Sequence, residues 1–115
     1  MLMLNCHCRA CQRAGGGAYA PIVAVPKDGF RLYGELRFHR RIGDSGKAVD
    51  RGFCPNCGSQ IVLKLERMPD LICLQAGSLA DPSRFAPAMD VFTESAQPWD
   101  QMNPDVKKFT QGLAS

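Results

Sequence analysis

Long hydrophobic runs are missing from this sequence, because proline, lysine or aspartate interrupts each apolar stretch before the roughly 18 residues of a membrane span. The opening Met-Leu-Met-Leu-Asn has no basic residue and is too short for the apolar region of a secretory signal. We therefore expect a cytoplasmic protein without a membrane partner. Repeats, low-complexity tracts and linkers are also lacking, and 115 residues have room for one modest core. Residues 1–115 are predicted to form a single domain.

An excess of charge of one sign is also lacking. Fourteen lysine and arginine residues against eleven aspartate and glutamate residues leave a net charge of +3. Basic and aromatic residues are not interleaved as they are on many nucleic-acid-binding surfaces. The balance permits an anionic small-molecule ligand and makes a zinc ribbon that binds nucleic acid the least favoured interpretation.

Cysteine, in contrast, is abundant. Disulfides need an oxidising compartment, and they usually link distant segments, whereas most of these cysteines are one or two residues apart. Such close spacing suits convergence on one metal ion. We therefore predict a site for zinc or another thiophilic metal. The six cysteines are Cys6, Cys8, Cys11, Cys54, Cys57 and Cys73, of which Cys73 lies in an apolar run and is predicted to be a buried core thiol.

Patterns of apolar residues predict a mainly β fold. In one predicted strand, 36–42, Phe38 alternates with polar residues, which is typical of a half-buried strand. A short helix is predicted only near the end, where Asn103 can cap it, Pro104 suits its first turn and Gly112 can stop it. Trp99 is predicted to lie in the core. The predicted strands are 18–25, 36–42, 48–53, 61–65, 71–76 and, with a weaker pattern, 88–93.

The segment Phe-Cys-Pro-Asn-Cys-Gly-Ser at 53–59, which we call the knuckle, is typical of a zinc knuckle. A tight turn brings the sulfurs of Cys54 and Cys57 to the same tetrahedral ion. Gly58 can adopt a positive φ immediately after the second ligand, because it has no Cβ.

A second, denser cluster places Cys6, Cys8 and Cys11 within six residues. Three ligands from one loop fill three tetrahedral corners and leave the fourth free, as in catalytic zinc sites. Alternatively, two of these cysteines join Cys54 and Cys57 in one closed four-cysteine site. His7 lies between two candidate ligands, and we expect it not to bind the metal.

Four segments together resemble the glutathione-dependent formaldehyde-activating enzyme family. The resemblance implies a mainly β fold with layered antiparallel sheets, similar to that of the Mss4 exchange protein. It implies two zinc sites, a catalytic one held by Cys6, Cys8 and Cys11 and a structural one that includes Cys54 and Cys57. The segments are Cys-His-Cys-Arg-Ala-Cys-Gln-Arg at 6–13, the knuckle, Ala-Gly-Ser-Leu-Ala-Asp-Pro at 76–82, and Ser-Ala-Gln-Pro-Trp at 95–99.

The sequence departs from the family in two places. Family members usually begin with a strand that carries a Cys-x-Cys-Gly motif and completes the structural site, and this strand is missing here. Cys54 and Cys57 then supply only two of four ligands, so the chain is expected to hold two zinc ions, a single one shared with the N-terminal cysteines, or none. The second departure is Asp90, where the family often has a histidine.

Three thiolates give a zinc site a net charge of −1, which makes it poorly suited to generating hydroxide and better suited to holding an incoming thiol as thiolate. The addition of glutathione to formaldehyde, a carbon–sulfur lyase reaction when reversed, is of this kind. Glutathione carries two carboxylates, and Arg9 and Arg13 beside the cysteines are the predicted substrate-binding residues. The alternative is a non-catalytic, zinc-stabilised binding module. An exposed sheet edge would also permit a homodimer.

Overall fold

Strands dominate the structure, a computed structural model that describes residues 1–43 and 45–112. The mainly β prediction is confirmed. Within these residues no helix is both long and apolar enough to cross a membrane. Four short 3-10 turns also occur, at Lys27–Gly29, Ala76–Ser78, Pro82–Arg84 and Thr93–Ser95. The elements are β1 Leu2–Cys6, α1 Arg9–Gly15, β2 Ala20–Pro26, β3 Arg37–Ile42, β4 Ala48–Phe53, β5 Gln60–Leu65, β6 Leu71–Gln75, β7 Met89–Val91 and β8 Lys107–Lys108.

All eight described strands belong to one sheet with the order β3-β4-β5-β6-β2-β1-β7-β8. Most neighbours are antiparallel, as expected. The exceptions are β1 with β7 and β7 with β8, which pair in parallel. This topology places the N-terminal strand inside the sheet, between β2 and β7, so that the loop after β1 is held from both sides.

The helix predicted from Asn103 to Gly112 is not formed, and this segment carries β8 instead. The Asn103 side chain accepts a 2.9 Å hydrogen bond from the Asp105 backbone N–H, but no helix follows. The Phe109 N–H donates to the carbonyl oxygen of Asp90 at 2.9 Å, which ties the segment to β7. An isolated helix of this length is marginal, so pairing with an existing strand determines the outcome.

The core lies on the sheet face from which Ala20, Ile22 and Ala24 of β2 project. Leu63 of β5 and Cys73 of β6 pack on the same cluster, which confirms that Cys73 is a core thiol. Desolvation by burial raises the pKa of Cys73 to about 11.

The prediction for Trp99 was wrong, because 65% of its surface is exposed. The Asp100 N–H donates a 3.0 Å hydrogen bond to the Gln97 carbonyl and closes a turn around Trp99. In this turn the side chain that points inward is that of Asp100. The Asp100 side chain is 4% exposed and contacts His7. The buried side chain of this turn is therefore a carboxyl group that contacts a buried histidine, and the indole lies outside.

Strand β3 is exposed along its whole length, whereas its alternating pattern predicted a half-buried strand. It lies at one end of the sheet. Its contacts are local: the Lys64 ammonium lies 4.7 Å from the ring centroid of Phe38, and Arg40 forms an ion pair with Asp50. The predicted homodimer through such an edge stays a prediction.

Replacing Gly52 with alanine is expected to destabilise the fold by about 1–3 kcal/mol, a typical cost of overpacking. Gly52 pairs with Phe38, and a Cβ on it would lie 2.7 Å from Val62 Cγ2 and 2.8 Å from Phe38 Cε1. Urea denaturation measures the change. Gly29→Ala is the matched control, because a Cβ there meets nothing within 4 Å. Equal stability of the two variants would contradict the close packing at Gly52.

Candidate metal centre

Three cysteines meet where β1 passes into α1. Cys6 is the last residue of β1, Cys8 is the N-cap of α1, and Cys11 lies in the first turn of the helix. The Cys11 backbone N–H donates a 3.4 Å hydrogen bond to the Cys8 sulfur. The sulfur atoms of all three lie within 4.8 Å of one another. We call this group the thiol triad.

Helix α1 was not predicted from the sequence, although its end signals are visible there. It has only seven residues, and its first cap is a thiol rather than a hydroxyl or carboxylate. It ends at Gly16, which adopts φ 77° and donates its N–H to the Gln12 carbonyl at 2.7 Å. A glycine in this left-handed conformation is a common helix stop. The glycine run at 15–17 therefore limits α1 to the two turns that place Cys8 and Cys11.

Close approach of the three sulfurs shifts their pKa values in opposite directions. Hydrogen bonds from the Cys11 and Cys6 thiols lower the pKa of Cys8 to about 2. Hydrogen bonds with Cys11 and Cys8, together with burial, raise the pKa of Cys6. For Cys11, the hydrogen bond with Cys6 lowers the pKa, but the hydrogen bond with Cys8 and burial outweigh it and raise the pKa to about 11.

The opposite directions of these shifts reflect repulsion, because like charges this close disfavour simultaneous ionisation. A cation between them removes the repulsion and allows all three to ionise. Thiolate sulfur is a preferred ligand of Zn²⁺, and three such ligands leave one position open in a tetrahedral site. The residues of the triad therefore fit a zinc ion.

A buried arginine lies beside the triad. Arg51 of β4 is 8% exposed, and its Nη2 donates to the Cys11 sulfur at 3.8 Å. Its positive charge adds to the lowering of the Cys8 pKa by hydrogen bonds and partly opposes the rise of the Cys11 pKa. Sequence reasoning missed this residue. The sequence contained one indication of its position. Arg51 lies two residues before the knuckle in a predicted strand, and strand alternation places it on the same face as Val49.

The two arginines predicted to bind substrate both lie on α1 and are exposed. An Arg9 Nη1 donates to the Gln12 side-chain oxygen, and Arg13 lies in the last turn of the helix. Both are within a few residues of Cys11. Their role as carboxylate-binding residues stays a prediction.

His7 is fully buried between two carboxylates. Its Nε2 lies 2.9 Å from Asp90 Oδ1, and its Nδ1 lies 2.8 Å from Asp100 Oδ2. Lys108 of β8 extends the network, with its ammonium 3.0 Å from the second oxygen of Asp90. Both ring nitrogens therefore face carboxylates, in agreement with the expectation that His7 is not a metal ligand. Asp90 fixes the loop between Cys6 and Cys8 through its contact with His7.

Gln12 also holds the loop that contains His7, through hydrogen bonds of its side chain. Its side-chain amide donates to the His7 carbonyl at 2.7 Å and to the Ser95 carbonyl at 3.0 Å, and its oxygen accepts a 3.1 Å hydrogen bond from Gln97. Gln12 is 4% exposed. The segments 6–13 and 95–99, which the sequence singled out separately, are thus joined by a buried amide.

The knuckle forms the predicted turn. The Cys54 N–H donates to the Ser59 carbonyl at 2.9 Å, and the Gly58 N–H donates to the Cys54 carbonyl at 2.8 Å. Gly58 adopts φ 80°, as expected. Cys57 is exposed, and hydrogen bonding with Ser59, whose hydroxyl lies 3.1 Å from its sulfur, lowers the pKa of the thiol.

Cys54 and Cys57 do not join the thiol triad. Across residues 1–43 and 45–112, the triad is the only group of three or more potential ligands that lie within 4.8 Å of one another. The alternative of one closed four-cysteine site is therefore not formed by the described residues. Two thiols do not complete a tetrahedral structural site, so the assignment of Cys54 and Cys57 to a second zinc stays a prediction.

A cleft of about 520 Å³ separates the thiol triad from the knuckle. Cys11 and Tyr19 line one side, Gly58 and Ser59 line another, and Ser78 lies in the segment 76–82. Residues from the first three segments that suggested the family resemblance therefore line the cleft. Its size is within the range of small-molecule sites.

Comparison with known families agrees with this arrangement. The model of the glutathione-dependent formaldehyde-activating enzyme family matches residues 1–95, which include the triad, the knuckle, the cleft and His7 with its partner Asp90. A search among curated proteins finds no match to the chain. Because the family model covers more than half of the sequence, the chain belongs to the glutathione-dependent formaldehyde-activating enzyme family.

Proposed function

We propose that this protein is a zinc-dependent carbon–sulfur lyase that forms and cleaves the adduct of glutathione with formaldehyde. The observation that supports it most directly is the thiol triad, three sulfurs within 4.8 Å of one another, of which Cys11 lines a cleft of about 520 Å³. Family membership supports a formaldehyde-activating function in the broad sense. The proposal adds the metal, the reaction and the residues.

In the proposed reaction the sulfur of glutathione, as thiolate, attacks the carbonyl carbon of formaldehyde. A carbon–sulfur bond forms, the π electrons of the carbonyl move to its oxygen, and this oxygen takes a proton to give S-hydroxymethylglutathione. The reverse reaction breaks the same bond. A zinc ion with three thiolate ligands would lower the pKa of the glutathione thiol and keep it ionised at neutral pH.

The residues of this chain contribute position and charge. Cys6, Cys8 and Cys11 would hold the ion at the edge of the cleft, and the walls of the cleft would orient the thiol. Arg9 and Arg13 would bind the carboxylates of glutathione from α1. Holding both reactants in one site can lower the barrier by several kcal/mol, roughly 7 in favourable cases.

A non-catalytic binding module is not favoured. That alternative predicts a closed four-cysteine site, whereas the described residues bring only three cysteines within 4.8 Å of one another. A small-molecule thiol and an aldehyde remain the proposed partners.

The test is the rate at which ¹³C-formaldehyde and glutathione form S-hydroxymethylglutathione, followed by exchange NMR. Zinc-loaded protein should raise this rate above the spontaneous rate, and Cys11→Ser should abolish the increase. Cys73→Ala is the matched control, because Cys73 is a buried cysteine of the core and not of the triad. A rate equal to the spontaneous one, with zinc bound, would refute the proposed activity.

A further inference from the structure

Arg51 is a buried cation whose charge no carboxylate neutralises in the described part of the chain. No ion pair involves it within residues 1–43 and 45–112, and its Nε has no hydrogen-bond partner there. A buried charge without a partner is expensive, so its retention points to an anionic neighbour. The nearest candidate is the sulfur of Cys11, 3.8 Å from Nη2.

From this geometry we infer that Arg51 is a positioning residue whose charge allows the thiol triad to accept a fourth, anionic sulfur ligand. Its target is the thiolate class of ligand, as opposed to neutral ligands such as water. The inference rests on the proposed zinc site and deepens it by assigning a source of ligand selectivity.

The net charge of the site changes when a thiol binds. Three thiolates around Zn²⁺ carry a net charge of −1. Binding of a thiol, which loses its proton, changes the charge from −1 to −2. A buried guanidinium close to these sulfurs favours that change, because charges interact strongly where water is excluded.

The other arginines near the site do not meet this requirement. Arg9 and Arg13 are exposed, so solvent screens their charge. Arg40 is already neutralised by two hydrogen bonds to Asp50, of 2.8 and 3.0 Å. Arg51 alone among these four combines burial with contact to a sulfur of the triad.

The test uses the full chain loaded with Co²⁺, whose sulfur-to-cobalt absorption reports each thiolate ligand, and 2-mercaptoethanol as the probe. Arg51→Met should weaken thiol binding at least about 10-fold and should lower the affinity for Co²⁺ by a smaller factor, because the site reaches a net charge of −2 only when the thiol binds. Arg51→Lys keeps the charge and should stay within about threefold of the natural protein in both measurements. Arg40→Met, the matched control, should change neither.

Unchanged thiol affinity in Arg51→Met would overturn the inference. An equal loss of cobalt and thiol affinity would also overturn it, because it would indicate a purely structural role. If Arg51→Met does not fold, the thiol affinity of Arg51→Lys tests the inference. A 10-fold weaker thiol affinity in that variant would refute a role of charge. The probe requires neither glutathione nor formaldehyde. Thiol binding without catalysis would therefore refute the proposed reaction alone, and a protein that binds no cobalt would refute both proposals.

Discussion

Cys8→Ser is expected to lower the affinity of the protein for Zn²⁺ by roughly 100-fold. Structural zinc sites bind with about 10–16 kcal/mol over four ligands, so one thiolate contributes about 3 kcal/mol. Cys8 has a further role, because its sulfur also caps α1 and accepts from the Cys11 N–H. Competition with a chromophoric chelator measures the affinity, and elemental analysis gives the number of ions bound per chain.

Cys73→Ala provides the comparison for this measurement. Cys73 is a buried cysteine of the core and does not belong to the thiol triad, so its loss should leave the zinc affinity unchanged. A Cys8→Ser protein that binds zinc as tightly as the natural one would show that the triad is not the metal site. The same result would remove the basis of the proposed reaction.

Asp90→Ala is expected to lower the free energy of unfolding by about 3–5 kcal/mol, a typical cost of removing one partner from a buried ion pair. Asp90 is 1% exposed and contacts both the fully buried His7 and Lys108. Its loss leaves the His7 ring and the Lys108 ammonium without the carboxylate that both contact. Urea denaturation at pH 7 measures the change. Asp50→Ala, which removes the ion pair between Asp50 of β4 and the exposed Arg40 of β3, is the control and should change the stability much less.

The difference between the natural protein and Asp90→Ala should depend on pH in a defined direction. Burial alone would raise the pKa of Asp90, but hydrogen bonds from His7, Lys108 and Asn5 outweigh it and lower the pKa. A lowered pKa contributes stability above the pKa of the unfolded chain, about 3.9, and this contribution is lost as the pH falls through the folded value. The two unfolding curves should therefore approach each other below about pH 4. A constant difference down to pH 2 would contradict this role for Asp90.

Strands β2 to β6 and β7 follow the patterns that predicted them, because alternation and β-branched residues are local properties of the sequence. The strand predicted at 48–53, for example, matches the bounds of β4. The cysteines of the triad were also predicted as a group, since they are neighbours in the chain. Strands with a clear apolar pattern and contiguous motifs are therefore readable from the sequence, whereas β1, α1 and β8 were not predicted.

Residues that act across long sequence separations could not be predicted. His7 and Asp90 are 83 positions apart, and Arg51 is 40 positions from Cys11. Nothing near His7 in the sequence indicates two buried carboxylates, and nothing near Arg51 indicates a sulfur partner. The same limit explains the error over 103–112, where pairing of β8 with β7 outweighs a weak local preference for helix.

The parallel pairing of β1 with β7 has a consequence for the newly made protein. Leu4 pairs with Met89, and ribosomes add about 5–20 residues per second, so roughly 4–17 seconds separate the synthesis of the two partners. During this interval the loop around His7 lacks its carboxylate supports, and its cysteines remain accessible to cellular oxidants and metal chaperones. Maturation of the site is therefore expected to end with the C-terminal third of the domain.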